Sequence, residues 1–254
     1  MKKIEYIVMI VGVGGTGGNF AKEFGRYASF FKVPDKSIKM VLIDGDHVEH
    51  KNEERQPFIA EDEQQSKALT LTQAIRETFD VDVQCFPHYI NKAAELTHIY
   101  NELASYSDSD KGVSIPVILG CVDNHRARQC MHQFFEQQPS VFYFDSANEF
   151  SVGEVVIASK LNNTVVAPDR SFYYPEILKD TGPSAQEISC GAENISTPQH
   201  LATNLFAADL LLSAVVNVVS ENIVEGGIVY FDRQIYFSRF QSYDSFIKGG
   251  MIHA

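Results

Sequence analysis

The chain has 254 residues, 44% hydrophobic and 21% charged, which suits one large globular domain. Its formal net charge of −12 argues against a sequence-independent grip on nucleic acid or an anionic membrane, while leaving room for a small cationic pocket. The four cysteines, Cys85, Cys121, Cys130 and Cys190, form no C-x-x-C pair, so no zinc site, dithiol motif or disulfide framework is expected.

The N-terminal "IEYIVMIV" (4–11) reads as a strand, because its apolar run leads into a glycine turn and then a helical pattern rather than a cleavage site. The loop Gly12-Val13-Gly14-Gly15-Thr16-Gly17-Gly18 follows. Phe20, Phe24, Tyr27 and Phe31 then recur at helical spacing. "IKMVLI" (38–43) is a continuous apolar run, as in a parallel strand covered on both faces. Residues 62–78 predict a helix, "VDVQCF" a strand, 92–105 a helix and "IPVILGCV" (115–122) a strand. A helix to about 138 and the strands "VFYFDS" and "VGEVVIAS" come next.

After Ser159 the alternation stops. Residues 160–196, with Pro168, Pro175 and Pro183, predict a long crossover connection of the kind that is functional or mobile. A helix restarts at "STPQHLATNLFAADLLLSAVVNVVSE", with Ser196 or Thr197 as its cap and Pro198 in its first turn. Asp209 and Asn217 mark it as a buried helix, and no window is expected to span a bilayer. "GIVYF-DR-QIYFSRF" predicts a closing hairpin. The fold expected over 1–254 is a single α/β, Rossmann-like domain. It has a mostly parallel central sheet, helices on both faces and a C-terminal antiparallel extension. A cytoplasmic location is expected.

Gly12-x-Gly14-x-x-Gly17 lies between a strand and a helix, where glycine permits a tight turn and close approach of a phosphate to the helix N-terminus. Alone it fits a nicotinamide or flavin domain equally well. Asp44 ends the second strand, the usual place for a ribose-binding carboxylate, or is a plain surface aspartate. The Asn-x-x-Arg-Gln that follows has no place in a dinucleotide site. A triphosphate, in contrast, carries charge that must be neutralised during transfer. Arg55 and Lys67 could do this, although singly each reads as a solvated cation. Asp123, in "ILGCVDNHRAR", sits at the carboxyl edge of the sheet. It could hold Mg²⁺ or cap the next helix, while His125, Arg126 and Arg128 read as a solvated helix face. Cys85 and Cys121 lie in apolar strands and read as core.

Taken together, Asp44-x-Asp46, Asn52, Arg55-Gln56, Lys67 and Asp123-Asn124 behind a G-x-G-G-x-G loop resemble the ThiF/MoeB/HesA adenylation domain, related to the ubiquitin-activating enzymes. The resemblance covers roughly 5–159 and, more loosely, 187–220. It implies that Gly12, Gly14, Gly15 and Gly17 cradle ATP and that Asp44 binds the ribose. Asn52, Arg55, Gln56 and Lys67 would hold the phosphates, and Asp123 would ligate Mg²⁺. It also implies a homodimer and a small ubiquitin-like partner with a Gly-Gly tail. Cys190, in "EISCGAENIS", falls where the family often has a reactive cysteine, with an incidental loop cysteine as the alternative. Three features depart from the family. Its paired C-x-x-C zinc motifs and its C-terminal modules have no match. Its arginine upstream of the glycine loop has no counterpart beside Lys2 and Lys3.

The activity expected is ATP-dependent adenylation of the C-terminal carboxylate of a ubiquitin-like (β-grasp) protein, followed or not by a thioester at Cys190. Alternatives are another carboxylate, on a peptide or a modified tRNA, and a catalytically silent nucleotide-binding module. An oxidoreductase ranks last, since it leaves Arg55, Lys67 and Asp123 without a task.

Overall fold

A computed structural model describes residues 3–104, 112–182 and 199–248. Strand β1 (Lys3–Val11) leads to helix α1 (Gly15–Ser29) and strand β2 (Lys36–Ile43). Helix α2 (Lys67–Phe79), strand β3 (Val83–Phe86), helix α3 (Ala93–Leu103), strand β4 (Gly112–Gly120) and helix α4 (His125–Gln137) follow. Strands β5 (Val141–Asn148), β6 (Val152–Leu161) and β7 (Thr164–Ala167) and the short helix α5 (Arg170–Tyr173) come next. Helix α6 (Leu201–Val219), the hairpin β8 (Gly227–Asp232) and β9 (Phe237–Ser242), and helix α7 (Tyr243–Lys248) complete the described elements.

The sheet order is β3-β2-β1-β4-β5-β6-β8-β9, with β7 on β6. The first five strands in that order pair in parallel, and β6 onward pair antiparallel. This is the expected doubly wound sheet with an antiparallel extension. Side chains alternate across β1. Tyr6, Val8 and Ile10 join Phe20, Phe24, Leu71, Ile75 and Leu211 on one face. Ile7, Met9 and Val11 join Leu96, Ile99, Met131 and Phe134 on the other. Helices α1, α2 and α6 therefore cover one face and α3 and α4 the other. Strand order reverses between β1 and β4, and the carboxyl ends of these two strands open the crevice where such sheets bind ligands.

Several boundaries differ from the sequence reading for local reasons. Helix α2 starts at Lys67 rather than 62. A 3-10 turn occupies Ala60–Asp62, Gln64 has φ 68°, and Ser66 caps the helix by accepting from Leu69 N at 3.4 Å. Helix α6 starts at Leu201, capped by the His200 ring accepting from Ala202 N. The caps expected at Ser196 or Thr197, and Pro198, lie outside the described residues. The 160–196 connection is not structureless where it is described: β7, α5 and a 3-10 turn at Pro175–Lys179 interrupt it. The β8–β9 turn spans 233–236, two residues more than expected between the strands.

Helix α6 needs a further correction, because its 19 residues are long and apolar enough to cross a membrane. Within the fold it packs on α1, β5 and β6, and Leu211, Val215 and Val219 are buried in the core.

Candidate nucleotide site

The glycine loop is shaped by contact with its neighbours. Gly12 has φ +86°, and a Cβ there would lie 2.5 Å from the Cys121 carbonyl oxygen. At Gly17 a Cβ would fall on the Gly12 carbonyl oxygen. Both positions therefore require glycine to close the turn at the β1/β4 crevice. At Gly15 a Cβ would strike the Asn204 amide of α6. Gly14 differs, because its nearest neighbour would be Gln56 Nε2 at 3.7 Å, so its surface stays open. Helix α1 begins there with no side-chain cap and no acid in its first turn. Its first N–H groups are left to face an anion.

Asp44 follows β2 directly and braces this loop. One carboxylate oxygen accepts Val13 N at 2.7 Å and the other Asp46 N at 2.8 Å. Burial pushes the Asp44 carboxyl above its usual range, while the Lys67 charge opposes that shift. Each oxygen keeps a second lone pair for a hydroxyl donor.

The segment after Asp44 is a closed loop folded over the glycines. Val48 and Gln64–Gln65 exchange backbone bonds, and Lys67 N donates to the Asp46 carbonyl at 3.0 Å, fastening its two ends. Asn52 is buried and staples the interior. Its Oδ1 accepts Glu49 N, and its carbonyl accepts the backbone N–H groups of Arg55 and Gln56. This brings Gln56 over Gly14 and Pro57 against Gly18. The Gln56 Oε1 is buried without a hydrogen-bond partner, and Arg55 forms no ion pair among the described residues. Gln56 Nε2, the side-chain atom nearest Gly14, can donate to a phosphate oxygen, and Arg55 on the preceding residue adds a cation unpaired among the described residues, so this cover and the uncapped helix N-terminus suit a polyanionic ligand.

Lys67 opens α2 in a buried position, and its Nζ lies 3.2 Å from Asp46 Oδ2. Tyr89 donates to the other Asp46 oxygen. Asp123 lies beyond the end of β4 and is exposed. It is not the cap of α4, because Asn124 Oδ1 takes that role by accepting Ala127 N at 2.8 Å. Among the described residues no group of three or more His, Cys, Asp or Glu could hold a metal ion. A single carboxylate fits Mg²⁺ that takes its remaining ligands from phosphates and water.

Arg128 departs from the sequence reading. It does not lie on a solvated face but is buried, bonded to Asp145 and to the Val122 carbonyl. Arg126 is exposed as expected. The cluster of Asp145, Arg170 and Glu154 around it was not foreseen. A carboxylate inside the apolar run "VFYFDS" was the available signal. Cys121 falls just past β4, and burial pushes its thiol and that of Cys130 upward, so neither is a poised nucleophile. Cys190 lies outside the described residues.

A doubly wound sheet with an uncapped phosphate loop, a ribose-type aspartate and a cation-bearing cover defines a nucleotide-binding α/β protein. The ThiF family model matches residues 2–233, and the chain belongs to the ThiF family. Among solved structures, PaaA superposes with a TM-score of 0.64 at 18% identity, over 93% of this chain and 64% of its own. E. coli MccB with ATP gives 0.61 at 13% identity, over 93% and 62%. The microcin C7 biosynthetic enzyme MccB with N-formylated MccA gives 0.61 at 14%, over 93% and 64%. The chain thus spans a little over three-fifths of the length of these proteins. No curated protein matches it.

Proposed function

We propose that this protein adenylates a carboxylate with MgATP. The observation that carries the reading is the seating of Gln56 and Pro57, the residues directly after Arg55, on the glycine loop, with Gln56 over Gly14 and Pro57 against Gly18. Helix α1 and Gly14 would receive the phosphates, Asp44 the ribose, and Arg55 and Lys67 the charge that builds on the leaving pyrophosphate. Asn52 would act by holding the cover in shape. Mg²⁺, held by Asp123, would neutralise phosphate charge and align the chain of phosphorus atoms.

A carboxylate is a poor acyl donor because its leaving group is oxide. Attack of the carboxylate oxygen on the α-phosphorus forms an O–P bond and breaks the bond to the β-phosphate. Pyrophosphate leaves with the displaced electron pair, and the acyl group now has AMP as its leaving group. No side-chain nucleophile is needed, only alignment and charge neutralisation.

The substrate proposed is the C-terminal carboxylate of a small ubiquitin-like protein with a Gly-Gly tail, bound by a cytoplasmic homodimer. A later thioester at Cys190 would form by thiolate attack on the acyl carbon with loss of AMP. A peptide substrate is the second reading, favoured by the fold shared with MccB, which is solved with MccA. The test is Mg²⁺-dependent exchange of labelled pyrophosphate into ATP, with β-grasp proteins and short peptides as separate substrates. Exchange with the β-grasp proteins alone supports the first reading, and exchange with peptides alone the second. Tight NAD binding without ATP binding would sink both. Cys190→Ser should leave exchange intact and abolish any thiol-sensitive adduct.

A further inference from the structure

Three buried charged side chains, Arg128, Asp145 and Arg170, and the half-buried Glu154 lie together behind the carboxyl ends of β4 and β5. Arg128 Nε lies 3.2 Å from Asp145 Oδ1, and Arg170 Nε lies 3.0 Å from the same oxygen. The Tyr143 hydroxyl donates to the other Asp145 oxygen at 2.7 Å. Arg170 also donates to the Asp145 carbonyl at 2.9 Å and pairs with Glu154, which accepts the Tyr174 hydroxyl at 2.6 Å. Two guanidiniums and two carboxylates leave no net charge. Such a cluster is weak evidence of stability, because desolvation offsets most of the attraction and apolar residues could fill the same space. Its geometry is more informative than its energy.

Arg128 Nη2 donates to the Val122 carbonyl at 2.7 Å and to the Ser146 carbonyl at 3.3 Å. Val122 immediately precedes Asp123. The rest of that turn is pinned as well: Cys121 N donates to the Val11 carbonyl at 2.9 Å, and Asn124 Oδ1 accepts Ala127 N. Every residue flanking Asp123 is tied down, and Asp123 alone projects to solvent.

We infer that Arg128 is a positioning residue for adenylation. Anchored by Asp145, it fixes the Val122 carbonyl and so sets where the Asp123 carboxylate meets the metal. The inference rests on the proposed role of Asp123 and extends it to residues in the core. A guanidinium can bond Asp145 and two carbonyls at once because its donors form a rigid fork. A lysine ammonium on a shorter reach cannot span them. Displacement of a reacting group by about 1 Å costs on the order of a hundredfold in rate.

The test is Arg128→Lys, with the exposed Arg126→Ala as control, measured by pyrophosphate exchange across a Mg²⁺ series and by calorimetry of ATP binding. Arg128→Lys should lower maximal exchange by about tenfold to a hundredfold and raise half-saturating Mg²⁺ by about tenfold, with ATP affinity within about threefold. Arg126→Ala should match wild type. If Arg128→Lys does not fold, Tyr143→Phe, which loosens only Asp145, should shift half-saturating Mg²⁺ in the same direction by less. A folded variant that loses stability yet keeps the wild-type Mg²⁺ dependence would overturn the inference alone. A wild-type protein that binds no MgATP would overturn the proposed function and this inference with it.

Discussion

Lys67→Met separates the cost of a charge to the fold from its value to the site. Lys67 is 7% exposed, and its Nζ lies 3.2 Å from Asp46, whose side chain is 40% exposed. Two unit charges at that distance attract by roughly 5 kcal/mol at an effective dielectric of about 20. Most of this is not net stability. Removing the ammonium from water costs several kcal/mol, and water at Asp46 screens the pair. Methionine keeps the apolar stem in place. The expected loss is therefore on the order of 1–2 kcal/mol, less than the 3–5 typical of breaking a fully buried pair. The same cation facing a developing phosphate charge in a dry site is worth about 2.7–4 kcal/mol, a hundredfold to a thousandfold in rate. Urea unfolding should show a modest fall in midpoint at unchanged slope, and maximal pyrophosphate exchange should fall by at least about a hundredfold. A protein that loses more than about 4 kcal/mol of stability while exchanging normally per folded molecule would make Lys67 a structural anchor.

Two further outcomes follow from the same geometry. Gly17→Ala would place its Cβ on the Gly12 carbonyl oxygen and should destabilise the fold by several kcal/mol, read as a lower thermal midpoint, whereas Gly14→Ala has space and should fold while losing ATP affinity by calorimetry. His132 bonds Asp169 at 2.8 Å, which raises its imidazole pKa, with burial opposing. A raised histidine pKa stabilises the fold below the unfolded value of about 6.5 and loses that stabilisation as pH rises through the folded value. The urea midpoint should therefore favour wild type over His132→Gln more at pH 6 than at pH 9, and an equal difference at both would refute the pairing.

The parts of this protein written in local pattern were legible in the sequence. The glycine loop, the acid ending β2 and the alternation of strands and helices are all marked by residues a few positions apart, although contacts as distant as Gly12 with Cys121 give the loop its shape. The buried cluster was not. Arg128 meets Asp145 at a separation of 17 residues, and Arg170 meets it at 25. In a one-dimensional reading Arg128 is one of three polar residues after an aspartate. It becomes a core residue only because the end of β5 lies beside α4. The start of α2 failed for the opposite reason: the polar run at 60–66 has helix-forming composition, but a left-handed Gln64 and the Ser66 cap break it. Asn52 shows a subtler gap. The motif marked it as a phosphate contact, while its burial and its bond to Glu49 N show that it shapes the cover.

In the proposed function, the cover rather than the sheet would select a triphosphate. A glycine turn, an uncapped helix and an acid at the end of β2 would serve any nucleotide. Asp44 ties ribose recognition to loop shape, because the carboxylate that would meet the hydroxyls also holds Val13 N and Asp46 N. Asp46 in turn holds Lys67, and Lys67 N with the Asp46 carbonyl closes the loop that carries Arg55 and Gln56. Ribose acid, cover and cation are thus one hydrogen-bonded assembly rather than separate contacts. A dinucleotide's diphosphate would use its floor and leave the Arg55 cation without a purpose. A third phosphate gives the Arg55 charge a counterpart. Mg²⁺ at Asp123, on the opposite side of the β1/β4 crevice, would bring charge to the same phosphates from the other direction.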